Sequence, residues 1–131
     1  MSHSTEQSSF EQILTQMNTE GRFNASVLAS QDGLAVASAP TPSPYDADTV
    51  AAMVAMVKDF ILQTQTRLGM AEVDEVSMVV GDRSRLVCRY FTAAGEQPFV
   101  LAVLTPPNAT YRRVTTRAVR EIQAAWADSS M

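Results

Sequence analysis

The sequence predicts an α+β fold in the order helix, strand, strand, long helix, three strands, helix. Three observations carry this reading. Apolar residues recur at helical spacing in three segments, near residues 10–17, 50–62 and 111–125. An Asp32-Gly33 pair separates two short apolar runs, the mark of a hairpin. Three strand-like runs, Glu72–Val80, Arg85–Thr92 and Gln97–Thr105, are separated only by Gly81-Asp82 and Ala94-Gly95-Glu96. Connections that short allow an antiparallel meander and no parallel crossover.

The chain has 131 residues, a net charge of −4, 46% apolar and 18% charged residues. That is one domain, large enough for a core of its own and too apolar for a disordered chain. Its longest apolar runs, Ala51–Val57 and Phe99–Leu104, are far short of the ~20 residues of a membrane helix. The polar start has no signal-peptide core, and Cys88 is the single cysteine, so a cytoplasmic location is expected with no membrane insertion. The acidic balance argues against nucleic acid as a partner. Residues 1–82 carry a net −8 and residues 83–131 a net +4, which we expect to neutralise each other across the fold.

Residues 1–8, including the lone His3, read as a disordered tail. Ser9 and Gln12 then fit a capping box ahead of Phe10, Ile13, Leu14 and Met17, which share one helix face, with a stop at Gly21. Phe23–Ser30 and Leu34–Ala37 are strands around the Asp32-Gly33 turn. Pro40, Pro42 and Pro44 give a stiff extended connection. Asp46 and Asp48 suit the N-terminus of a helix ending near Leu68 and Gly69.

That central helix is apolar around most of its circumference through Val50, Met53, Val54, Met56, Val57, Phe60, Ile61 and Leu62. One apolar stripe is enough to dock a helix on a sheet. A second implies a second covering surface, and a chain this short has no element left to supply it. We therefore expect another subunit to cover Met53, Met56 and Phe60.

In the fourth strand Arg85, Val87, Arg89 and Phe91 share one face, and Leu86, Cys88 and Tyr90 the other. Cys88 reads as a small buried residue. The strand Phe99–Leu104 is apolar on both faces, so it belongs mid-sheet between two layers. Asn108 is the expected N-cap of the last helix. Tyr111, Val114, Ala118, Ile122 and Ala125 form its inner stripe; Arg113, Arg117 and Arg120 form an outer one, read as a solvated face.

No motif for catalysis is found. There is no phosphate-binding G-x-x-x-x-G-K-[ST] loop, no G-x-G-x-x-G after a strand, no G-x-S-x-G, no H-E-x-x-H and no paired cysteine spacing. The only histidine lies in the tail, so any Ser/His or Cys/His dyad lacks a well-placed base. Asp74 and Glu75 are adjacent on a strand and point to opposite faces. No catalytic, cofactor-binding or metal site is assigned.

The element order, the segment Val27-Leu-Ala-Ser-Gln-Asp-Gly-Leu-Ala-Val-Ala37, the long helix and Phe99-Val-Leu-Ala-Val-Leu-Thr-Pro106 resemble the roadblock/dynein-light-chain domain family. The resemblance covers roughly residues 9–126, and the domain is taken as 9–131. It implies a three-layer α/β/α sandwich with a five-stranded antiparallel sheet in the order 2-1-5-4-3. The long helix lies on one face and the terminal helices on the other.

The resemblance also implies a homodimer joined through the third strands and the long helices. That places Met53, Met56, Val57, Phe60, Val73, Glu75, Val76 and Met78 at the interface. The implied function is non-catalytic: binding and regulating or scaffolding a small Ras-like GTPase, possible GTPase activation included. Inserted arginines are not a family feature, so Arg83 and Arg85 are given no such role. The three-proline loop is longer than a minimal connection. The alternative is a profilin-like or PAS-like ligand-sensing domain, or a general signalling scaffold.

Overall fold

The computed structural model describes residues 2–41 and 43–130, with the side chains of residues 7–41 and 43–129. The elements are α1 (Ser2–Gly21), β1 (Ala25–Ser30), β2 (Ala35–Ala39), α2 (Ala47–Leu68), β3 (Glu75–Val79), β4 (Arg85–Ala93), β5 (Gln97–Thr105) and α3 (Arg112–Ser130). The strands form one antiparallel sheet in the order β2-β1-β5-β4-β3, the order the resemblance implied. The apolar strand β5 lies at its centre, paired with β1 and β4, and β3 and β2 are the edges.

Alternation along the strands sends side chains into two cores. On one face Leu28, Val87, Phe99, Leu101 and Val103 pack with Phe10, Leu14 and Met17 of α1 and Ala118 and Ile122 of α3. On the other, Val27, Ala29, Cys88, Tyr90, Val100 and Ala102 pack with Ala51 and Val54 of α2. The result is a three-layer sandwich with α1 and α3 on one side and α2 on the other. Each fully buried Leu, Val or Phe contributes about 1.5–3 kcal/mol relative to exposure.

The turns follow their chemistry. Gly33 has φ +102° and lies against α2, where an added Cβ would meet the Ala55 methyl at 3.6 Å. Asp46 caps α2 by accepting from the Asp48 amide, and left-handed Gly69 closes its other end. Hydrogen bonds from Thr49 and Asp48 hold the Asp46 carboxyl below the usual carboxylate range.

Three expectations on element ends need correction. Helix α1 begins at Ser2, so residues 2–8, expected as a tail, are helical and Ser9 lies inside the helix rather than capping it. The stretch holds no proline and no glycine before Gly21 to stop it. Asn108 does not cap α3. It adopts a left-handed φ of +65° in a turn closed by the Ala109 amide on the Pro106 carbonyl, and the helix starts at Arg112. Strand β3 begins at Glu75 rather than Glu72, because the Val73 amide donates to the Gln65 side chain at 2.7 Å. The His3 side chain and Pro42 of the three-proline loop lie outside what is described.

Candidate interaction surface

The outer side of α2 and the neighbouring edge strand form one exposed apolar surface. Helix geometry turns Ala51, Val54, Lys58 and Ile61 to the sheet. It leaves Met53, Met56 and Phe60 on the far side, with Met56 71% and Phe60 70% exposed. Val57 is half-buried on the flank. Toward β3, Phe60, Ile61, Thr64, Met70, Val73 and Val76 line an apolar groove of about 170 Å³. Met78 follows Val76 on the same strand face and is exposed, as is Val80.

The backbone of β3 completes this surface. The Tyr90 amide donates to the Asp74 carbonyl and the Val80 amide to the Ser84 carbonyl. In an antiparallel ladder such pairs alternate, so Val76 and Met78 exchange hydrogen bonds with Cys88 and Leu86. Glu75, Ser77 and Val79 therefore aim their N–H and C=O groups at the free edge. An uncovered edge of this kind is a template for pairing with another strand.

Seven of the eight residues expected at the interface, Met53, Met56, Val57, Phe60, Val73, Val76 and Met78, are thus gathered on the α2 side or its groove. The side chain of Glu75 is not among them. It turns to the α3 side, 12% exposed, and accepts from the Tyr111 hydroxyl at 2.6 Å. Arg89 and Arg112 stand 3.8 and 3.6 Å from it. Arg89 also donates to Thr115 at 2.9 Å and Thr116 at 3.2 Å. Glu75 thus ties the edge strand to α3.

The charge asymmetry resolves in part as expected. The three ion pairs among the described residues, Glu75 with Arg89 and Arg112 and Glu20 with Arg117, each join a carboxylate of residues 1–82 to an arginine of residues 83–131.

Lys58 was not singled out from the sequence. It lies buried under α2, its ammonium 4.8 Å from the centre of the Tyr90 ring. The available signal was its spacing, four and seven residues after Val54 and Ala51 on the buried face. Tyr90 donates to the Val54 carbonyl at 3.3 Å, and burial pushes its hydroxyl pKa up. Burial likewise pushes the Cys88 thiol up to about 11, which makes it an inert packing residue.

Among the described residues no group of His, Cys, Asp and Glu could hold a metal ion, and no helix is long and apolar enough to cross a membrane. The surface offers apolar contact and backbone pairing, the means of binding another polypeptide.

No family model matches the sequence, and no curated protein is significantly similar to it. Solved structures do match. MglB of Myxococcus xanthus superposes with a TM-score of 0.81 at 13% identity, over 93% of this chain and 90% of that one. An MglB with a tetrameric arrangement gives 0.77 at 20% identity, over 95% and 92%. A Roadblock/LC7 domain from Streptomyces avermitilis gives 0.73 at 19% identity, over 92% and 98%. Identities this low establish a shared fold.

Proposed function

We propose, from the roadblock fold that this chain shares with MglB, that it is a non-catalytic homodimeric module that binds a small Ras-like GTPase and regulates or scaffolds it. The observation that carries the reading is the coincidence of two unsatisfied features on one side of the molecule. One is the apolar face of α2, with Met53, Met56 and Phe60 in solvent. The other is the free β3 edge, with the backbone of Glu75, Ser77 and Val79 pointing outward. A second copy, related by a two-fold axis, answers both at once: β3 pairs with β3 and α2 packs on α2. The tetrameric arrangement of one MglB supports self-association in this fold.

The GTPase then docks on the paired helices, and any change in its hydrolysis rate arises in its own active site.

Two measurements test the reading. Light scattering on the eluting protein should give twice the chain mass at micromolar concentration. Met56→Asp should return it to the monomer, because a buried unpaired carboxylate is costly. Wild-type protein that elutes as a monomer, or a dimer untouched by Met56→Asp, would sink the dimer. For the partner, a small Ras-like GTPase encoded beside this gene should co-elute with the protein. Failure to bind, with no change in GTP hydrolysis, would sink the regulatory role.

A further inference from the structure

Helix α3 carries an electrostatic arrangement that works against its own stability. Arg112 and Arg113 open the helix, and its first turn has no acidic residue. Cations there face the positive end of the helix dipole, where carboxylates are favoured. Arg113, Arg117 and Arg120 follow at i, i+4 and i+7 on one exposed stripe, a spacing at which like charges repel. Local rules broken this way, with only partial compensation inside the molecule, are a mark of a functional surface.

The charges are only partly answered. Arg117 pairs with Glu20 at 2.5 Å, and Arg112 stands 3.6 Å from Glu75 with its side chain 76% exposed. Among the described residues Arg113 and Arg120 have no carboxylate within ion-pair distance. With Thr116, the four arginines line a shallow open concavity of about 440 Å³. It lies on the α1/α3 layer, opposite the α2 face.

We propose that this concavity is a docking site for an acidic segment of a partner protein, separate from the surface assigned to the dimer and the GTPase. Guanidinium groups match carboxylates in bidentate geometry, and an anion at this helix end relieves both the dipole and the like-charge repulsion. The distance along the helix from Arg112 to Arg120 is about 12 Å, the reach of roughly four extended residues. The rest of the molecule selects against larger polyanions. The net charge is −4, with −8 on residues 1–82, which repels a nucleic acid or an anionic membrane approaching as an extended surface.

The test is fluorescence anisotropy with a labelled short oligoglutamate peptide. Binding should be saturable and should vanish near 1 M salt, where charges are screened beyond about 3 Å. R113E/R120E should weaken it at least about tenfold, as expected for two reversed ion pairs. R67E/R83E makes the same change in net charge at exposed positions outside the concavity and should leave affinity within about twofold. All four substitutions are at exposed positions, and circular dichroism verifies that each variant is folded. Equal weakening by both double variants overturns the proposal, as does no saturation at about millimolar peptide. Preferential binding to duplex DNA or to phosphatidylserine-containing vesicles at equal anion concentration overturns it too.

Discussion

Single residues here matter mostly through what they hold in place. Glu75 connects three elements: it sits on β3, accepts from Tyr111 at the start of α3 and faces Arg89 on β4. Its carboxylate is largely buried, so losing the charge leaves Arg89 without a counter-ion in a half-buried place. Glu75→Gln should therefore destabilise the fold by about 1–2 kcal/mol. Urea unfolding checks this, and an unchanged midpoint would show that the network adds nothing. Cys88 supplies a pH dependence. Its buried thiol titrates near 11 instead of the ordinary 9, so folding favours the neutral form. That contribution is complete below the ordinary value and is lost as pH rises through the folded one. The urea midpoint should fall between about pH 9 and pH 11, and Cys88→Ala should flatten part of that fall. An identical slope in wild type and variant would assign it wholly to other groups, Tyr90 first among them.

At the scale of elements, the edge strand is the decisive piece. Because the amide of Ser77 points away from β4, Ser77→Pro removes no hydrogen bond of the sheet, and edge strands accept proline at such positions. It should leave the chain folded while abolishing the dimer. Circular dichroism and light scattering together read the two effects, and a dimeric variant would place the seam elsewhere. Much of this element structure was legible in the sequence. The Asp-Gly turn and the doubly apolar β5 each have one physical explanation, and the over-apolar α2 does leave an exposed apolar face. The places that were not legible depend on side-chain contacts outside the local pattern or on a residue type that suits two roles. The start of β3 is set by Gln65, eight residues earlier, taking the Val73 amide. Asn108 was misread because asparagine suits a helix cap and a left-handed turn equally well. The side-chain direction of Glu75 follows from alternation, but the tyrosine and arginines it would meet do not. The α3 arginines were visible as a stripe. Their concavity and their missing partners appear only once Glu20 and Glu75 are placed.

For the molecule as a whole, the two faces of the sheet divide the work. The α2 layer is apolar and open, suited to a second copy and the proposed GTPase. The α1/α3 layer is polar, pinned by ion pairs and basic along α3. The sheet that separates them is built around β5, the last strand in the chain. Strand β1, at residues 25–30, has β5 as one of its two neighbours and must wait for residues 99–104 to be synthesised. Until then the emerging chain holds a hairpin with no sheet to join and an acidic segment without the arginines that answer it. Assembly of this domain on the ribosome is therefore deferred until β5 has emerged, and the apolar helix α2 passes through that interval without the complete sheet it packs on.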